Sequence, residues 1–131
     1  KAAYPTLAEW QETEGNKTTS AVFTLLGRRR MTCGMKSEYT SRINTQVQGT
    51  AGDITKVAIR DIWKDICRAP DKECFLIGVV HDEIILEVKE GTEEKWKKLL
   101  SDRMVAAGES MIDSVPIVAD ADSGRTWADA K

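Results

Sequence analysis

The chain lacks the features that mark several protein classes. Its three cysteines are odd in number and have no paired C-x-x-C spacing of the kind that zinc and redox sites use, so we expect reduced thiols. No apolar run approaches the length of a membrane span, and no signal peptide is present. The formal net charge is −2, which excludes the overall basic field of an independent DNA-binding domain. Any contact with nucleic acid must therefore come from local clusters.

The composition is that of an ordinary globular protein. Of the 131 residues, 41% are hydrophobic and 31% are charged, which is enough for one domain with a real core. We see no internal repeat, linker or low-complexity segment. Reduced thiols are typical of a cytosolic compartment. The first residue is Lys1 rather than Met, which suggests that the sequence was cut from something longer.

Three consecutive ionisable residues, His81, Asp82 and Glu83, lie between two strand-like runs. Apolar and β-branched residues dominate before them, and apolar residues alternate with polar ones after them, which predicts a hairpin from Phe75 to Val88. Tight turns usually contain glycine, and this one has none. A carboxylate at a rigid hairpin tip can hold Mg²⁺ for phosphoryl transfer. The alternative is that both carboxylates belong to a solvated turn.

Apolar residues recur at spacings of three and four from Ser37 to Cys67, which predicts one long helix. Asn44 and Gln48 lie one turn apart on this helix, and their amides can read base edges or can simply be surface groups. Gly49 and Gly52 lower helix stability by about 1 kcal/mol each, so a close neighbour is expected there. That neighbour is nucleic acid, another strand or, in the alternative interpretation, a closely packed helix.

The remaining pattern predicts an α+β fold, in which an antiparallel sheet packs on two long helices. Arg28, Arg29 and Arg30 follow a predicted strand and form either a solvated turn or a clamp for phosphate groups. The other predicted elements are a short helix that opens at Tyr4 and ends near Glu14–Asn16, strands at Ala21–Leu26 and Val115–Ala119, and a helix over Thr92–Met111.

In this order, the pieces resemble the C-terminal end of family A DNA polymerases, the group that includes bacterial DNA polymerase I. The segments that carry the resemblance are Tyr4–Pro5, Thr24–Arg30, Asn44 with Val47–Ile54, Val80–Glu83, Val115–Ile117 and Gly124–Trp127. The resemblance implies a palm-type sheet with a catalytic hairpin. It also implies that residues 1–36 form the base of the fingers and the strand with the arginine cluster, and that residues 37–131 form the palm.

The same resemblance implies part of a DNA-directed DNA polymerase that acts on primer-template DNA and deoxynucleoside triphosphates. Asp82 looks like one of two aspartates that hold two catalytic Mg²⁺ ions, with Glu83 in support and His81 near the primer terminus. Asn44 and Gln48 look like minor-groove contacts, which check base-pair geometry through acceptors that all correct pairs share. Arg28 and Arg29 likewise look like duplex contacts.

The chain also departs from the family pattern. Thr40 stands where the family usually has an arginine, and Arg42 falls on a different helix face. The stretch between Arg30 and Asn44 is shorter than in the bacterial enzymes of the family, which suggests a phage, organellar or divergent member. The resemblance therefore implies a cytoplasmic location in a bacterial or phage-infected cell, or a location in an organelle. Asp53, Asp120 and Asp122 do not sit in a strand pattern like that of the family's other metal-binding aspartate.

The resemblance implies that the second aspartate and the nucleotide-binding fingers helix lie in an upstream part of the polymerase that this sequence does not include. We therefore expect no nucleotide-binding residues in this chain and no polymerase activity from it alone. The alternative function is a non-catalytic DNA-binding module or a polymerase remnant. A third interpretation is a small α+β domain in which the hairpin acids are merely solvated.

Overall fold

A computed structural model describes residues 3–33 and 38–130 and divides into two compact units, Lys1–Asp53 and Ile54–Lys131. The elements in chain order are α1 (Pro5–Gly15), β1 (Ala21–Phe23), β2 (Arg29–Met31), α2 (Glu38–Arg68), β3 (Cys74–Val80), β4 (Glu83–Val88), α3 (Glu93–Glu109) and a 3₁₀ turn at Trp127–Ala130. This confirms the predicted α+β class. The predicted boundary between residues 36 and 37, and the predicted helix start at Ser37, lie outside the described residues.

Helix α1 of the first unit begins at Pro5, whose fixed φ suits the first helical position. Asn16 caps its other end, since the side-chain amide donates to the Glu12 carbonyl at 2.8 Å. The last residue of α1, Gly15, lies against the ring of Tyr39, where a Cβ atom would come within 2.2 Å of Cε2. Glycine is therefore required at this contact.

The predicted single strand over Ala21–Leu26 is wrong in its second half. Strand β1 ends at Phe23, and Thr24–Gly27 turns the chain back so that β2 pairs antiparallel with β1. The turn closes with a 2.9 Å bond from the Gly27 N–H to the Thr24 carbonyl, and Gly27 adopts a φ of 77° that favours glycine. Arg29 and Arg30 consequently lie within a strand rather than beyond one.

The second unit has an apolar core that positions the long hairpin. Residues one turn apart on α2, including Ala58 and the fully buried Ile62, pack with Ile84 of β4 and Ala107 of α3. Around them lie partly buried aliphatic side chains: Ile54, Val57, Ile59, Ile66, Leu76, Leu86, Leu99, Leu100 and Met104. This cluster holds one face of the β3–β4 hairpin against two helices, as the sequence predicted.

The β3–β4 hairpin is antiparallel and contains one irregularity. Leu76 pairs with Leu86, but Gly78 pairs with Ile85, so Ile77 is an extra residue in β3 and forms a β-bulge. The pairing then continues to Val80 and Glu83, and only His81 and Asp82 remain to form the loop.

Residues 115–124 do not form the predicted last strand. Pro116 has no N–H to donate, and the segment is held by α3 instead. Ile117 packs on Gly108, where a Cβ atom would meet Ile117 Cγ2 at 2.7 Å, and the Ser101 hydroxyl donates to the Ala119 carbonyl at 2.6 Å.

The structure also describes the three cysteines and the length of each helix. Cys33, Cys67 and Cys74 are all free thiols, and burial raises the pKa of Cys74 to about 11. No helix in the described ranges combines the length and apolarity needed to cross a membrane.

Candidate functional site

The tip of the β3–β4 hairpin presents three exposed ionisable side chains, those of His81, Asp82 and Glu83. His81 has a φ of 57°, in the left-handed region that disfavours residues with a Cβ atom by about 1–2 kcal/mol. Histidine tolerates this region better than most residues, and strained backbone is found often at functional sites. The turn thus forms without glycine, as the sequence indicated.

The Asp82 carboxylate is well placed to bind a cation. No hydrogen bond or ion pair reaches its side chain within residues 3–33 and 38–130, so its oxygens are open to solvent. A hard ion such as Mg²⁺ prefers oxygen ligands and keeps several waters and substrate phosphates in its shell. The donor chemistry at the tip fits that ion. The described residues contain no group of three acidic, histidine or cysteine side chains arranged to hold a metal, so Asp82 would supply one ligand among several.

A second candidate surface lies in the first unit, on helix α2. Asn44 and Gln48 are exposed, lie one turn apart, and have no side-chain hydrogen bond among the described residues. We call these two residues the amide row. Because each amide retains both a donor and an acceptor for a ligand, the row can bind hydrogen-bonding edges such as those of bases.

Next to the amide row, a stripe of three residues on α2 binds the arginine segment. The stripe consists of Thr45, Gly49 and Asp53, each one turn after the last. We call it the docking stripe. Arg30 donates to the Thr45 hydroxyl at 3.3 Å, and Arg28 donates to the Gly49 carbonyl at 2.8 Å and to the Asp53 carboxylate at 2.7 Å. Two of the three arginines are thus tied to the helix.

Gly49 shows why the helix contains glycine at this point. A Cβ atom on Gly49 would lie 2.6 Å from Thr24 Cγ2, so only glycine allows the turn to approach so closely. The expected close neighbour is therefore a strand-end turn of the same chain. A Cβ atom on Gly52 would lie 3.8 Å from Arg28 Nη2, which is an ordinary van der Waals contact.

Within the arginine cluster, Arg28 and Arg30 bind the docking stripe and Arg29 does not. Arg29 pairs with Phe23 in the strand ladder, makes no hydrogen bond to the docking stripe, and has no side-chain partner among the residues described. Arg28 is bound by Asp53, yet its side chain remains 49% exposed. Arg29 therefore offers a full positive charge to an anion, whereas the charge of Arg28 is partly compensated.

Arg42 is a buried structural residue. The sequence pattern placed it on a different helix face from the arginine that the family usually has near this point. Its guanidinium is 2% exposed and donates to the Glu14 carbonyl, to the carbonyl and hydroxyl of Thr19, and to the Thr32 hydroxyl. It thereby connects α2 with the end of α1, with the following loop and with the residue after β2. The exposed Thr40 makes no comparable link.

Sequence reasoning missed this polar interior. Thr24, Thr45 and Asp53 were not singled out as a set, although the spacing of the docking stripe and the Thr24–Arg28 separation of four residues were visible in the sequence. The carboxylate of Asp53 is only 3% exposed, and its partners lie 25 and 29 positions away in the chain. Local sequence patterns do not predict hydrogen-bond partners that are so far apart in the chain.

The fold has a close counterpart among solved structures. It is similar to a structure described as the POL domain of Pol1 from M. smegmatis in complex with DNA primer-template and dNTP, with a TM-score of 0.81 and 25% sequence identity. The match covers 95% of this chain and 23% of that one. The antiparallel hairpin and the helices packed on it are therefore those of a polymerase palm-type fold.

The sequence comparison identifies the family. Residues 1–129 match the model of DNA polymerase family A, and the chain belongs to that family. It is 33% identical over 139 aligned positions to the thermostable DNA polymerase I of Thermus filiformis, covering 98% of this chain. It is 38% identical over 89 residues to DNA polymerase I of Streptococcus pneumoniae serotype 4, covering 68% of this chain. The chain spans 16% and 10% of the lengths of these two relatives.

Proposed function

We propose that this chain is part of a DNA-directed DNA polymerase that adds deoxynucleotides to the 3′ end of a primer under the direction of a template. Its substrates would be primer-template DNA and deoxynucleoside triphosphates. The polymerase would act in the cytoplasm. One observation carries the proposal: a chain of DNA polymerase family A presents Asp82, an exposed carboxylate, at the tip of a hairpin. The rest of the catalytic centre would come from polymerase segments homologous to the parts of the relatives that this chain does not cover.

Asp82 is the residue that would hold Mg²⁺, with Glu83 beside it. When bound, two Mg²⁺ ions would activate the primer 3′-hydroxyl and neutralise charge on the pyrophosphate leaving group. The contribution of this chain is a carboxylate fixed by β-pairing immediately after the loop, at Val80 and Glu83. A rigid support of this kind keeps a metal ligand in place without reorganisation at each turnover. His81, in the same loop, would lie near the primer terminus.

The amide row would contact the minor groove of the duplex near the primer terminus. Asn44 and Gln48 offer donors to the acceptor positions that all correct base pairs share, so they would report pairing geometry without reading sequence. Arg29, which has no side-chain partner in the described chain, and the half-exposed Arg28 would contact the phosphate backbone. These contacts would position DNA, whereas Asp82 would serve the chemistry.

Primer extension by the natural gene product that contains this chain tests the proposal. We expect Asp82→Asn to abolish nucleotide addition while duplex binding persists, because asparagine keeps the shape of the side chain but lacks its charge. Asp102→Asn, on the exposed face of α3, is the matched control and should leave extension unchanged.

Full extension by the Asp82→Asn variant would refute the catalytic assignment. A wild-type product that binds duplex DNA but extends no primer in Mg²⁺ would favour a non-catalytic DNA-binding module. We expect the isolated 131-residue chain to be inactive even when wild-type.

A further inference from the structure

Asp53 is a buried carboxylate to which the proposed chemistry assigns no role. It is 3% exposed, and a buried charge is tolerated only when it is paired and hydrogen-bonded. One oxygen, Oδ1, accepts a bond of 2.7 Å from Arg28 Nε, and the other, Oδ2, accepts from the Thr24 hydroxyl. Both oxygens are thus used within the first unit.

The bonds around Asp53 close into a ring that fixes the Arg28 side chain. The backbone N–H of Arg28 donates to the Thr24 hydroxyl oxygen at 3.1 Å, and its Nη2 donates to the Gly49 carbonyl at 2.8 Å. The planar guanidinium is therefore held through Nε and Nη2 at once. Its remaining N–H groups belong to a side chain that is still 49% exposed.

This ring places Arg28 beside the amide row. Arg28 Nη2 would lie 3.5 Å from a Cβ atom at Gly49 and 3.8 Å from one at Gly52, so the guanidinium rests over the part of α2 that immediately follows Gln48. An arginine held in this way loses less side-chain freedom when it binds a phosphate, and preorganisation of this kind strengthens binding.

We propose that Asp53 is a positioning residue for nucleic-acid binding: it holds the Arg28 guanidinium beside the amide row so that Arg28 meets the DNA backbone in a fixed arrangement. The proposal rests on the proposed function. It assigns Asp53 a role distinct from that of Asp82, because its two oxygens accept hydrogen bonds from Arg28 and Thr24.

The sign of the effect distinguishes positioning from simple electrostatics. Asp53→Asn removes a negative charge beside a proposed phosphate contact, and a charge account therefore predicts tighter DNA binding. Positioning predicts weaker binding, because asparagine has neither the charge nor the second acceptor oxygen of aspartate and therefore holds the Arg28 guanidinium less firmly.

The experiment measures the dissociation constant of a fluorescent primer-template duplex for the natural gene product that contains this chain. We expect Asp53→Asn and Arg28→Ala each to weaken binding about tenfold, or about 1.4 kcal/mol. The double variant should be no weaker than Arg28→Ala alone, since Asp53 acts through Arg28. Asp61→Asn is the matched control: its carboxylate is also on α2 and also bound by an arginine, Arg60, and its dissociation constant should equal that of the wild type.

Unchanged or tighter binding by Asp53→Asn would overturn the proposal, and so would losses that multiply in the double variant. If Asp53→Asn does not fold, Thr24→Val replaces it in the same cycle, because valine keeps the shape of threonine without the hydroxyl. A wild-type product that binds no duplex overturns the proposed function as well. Wild-type binding with a neutral Asp53→Asn overturns the positioning role alone.

Discussion

In the first unit of the chain the buried side chains are mostly polar, whereas in the second they are apolar. Among the described residues, those buried in the first unit are Val22, Thr24, Thr32, Arg42, Thr45, Thr50 and Asp53. Those in the second are Ala58, Ile62, Cys74, Ile84, Trp96 and Ala107. Hydrogen bonds are directional and hydrophobic contacts are not, so the first unit depends on the identity of its interior groups and the second mainly on their volume.

This difference matches what each unit presents. The first unit carries the arginines and amides for which we propose a role in DNA binding. That role would require defined side-chain geometry, which buried polar networks supply when every member is satisfied. No buried side-chain nitrogen or oxygen in the described ranges lacks a partner. The second unit carries Asp82 on a hairpin, where backbone pairing and an apolar face are sufficient support.

The largest effect on stability is expected from removal of the buried guanidinium. Arg42→Ala should lower the free energy of unfolding by about 3–5 kcal/mol, because the buried Thr32 hydroxyl, the carbonyls of Glu14 and Thr19 and the Glu38 carboxylate all lose their donor. Arg42→Lys should cost nearly as much, since a lysine ammonium cannot reproduce the planar donor geometry. Chemical denaturation measures both, and the exposed Arg60→Ala is the control. A mild Arg42→Lys would contradict the dependence on directional bonds.

The apolar core of the second unit should respond to volume. Ile62→Ala should destabilise by about 2–5 kcal/mol, because a fully buried side chain leaves a cavity, whereas Ile62→Val should cost about 0.5–1.5 kcal/mol. The same denaturation measurement compares them. If valine at position 62 proved as damaging as alanine, the contrast between the two units would disappear.

The two α2 glycines give a sharper test of how closely the Thr24 turn approaches the helix. Gly49→Ala should destabilise by about 1–3 kcal/mol despite the better helix propensity of alanine, because the new Cβ atom would meet Thr24 at 2.6 Å. Gly52→Ala is the control and should be neutral or stabilising by up to about 1 kcal/mol. Thermal melting of both variants is the measurement, and a stabilised Gly49→Ala would show that the turn is not docked as described.

The smallest effect concerns pH and a carboxylate at the edge of the second unit. The pKa of Glu73 is lowered from its usual value of 4.5, first by a hydrogen bond from Lys95 and then by one from the Trp96 indole. Because folding lowers the pKa of Glu73, its ionised carboxylate stabilises the folded state above about pH 4.5. This contribution to the free energy of unfolding is lost as the pH falls through the pKa of the folded state. The stability difference between wild type and Glu73→Gln should therefore shrink between pH 5 and pH 3, about the usual carboxyl range. A difference independent of pH would exclude this carboxylate as its source.

The sequence alone predicted the elements whose signals are long or local. Periodicity indicated α2 to within one residue of its observed C-terminal end, Arg68, and alternation indicated the β3–β4 hairpin. The β1–β2 hairpin was not predicted, because the apolar residues of Thr24–Gly27 resemble a strand and the turn depends on a bond to the distant Asp53. The buried positions of Arg42 and Asp53 were also missed, because charged residues are normally exposed. The roles of Asp82, Asn44 and Gln48 came from the family resemblance, and they stay predictions.

The most direct test measures duplex affinity and nucleotide addition together, for Asp82→Asn and Arg29→Ala in the natural gene product. We predict that Asp82→Asn abolishes addition and keeps the wild-type dissociation constant. Arg29→Ala should weaken duplex binding and reduce the slope of affinity against salt by about one, the equivalent of one phosphate contact. Nucleotide addition by this variant should nevertheless be near normal at saturating DNA. If both variants lost the same property, or if Asp82→Asn extended primers normally, the division between a DNA-positioning unit and a metal-binding hairpin would be contradicted.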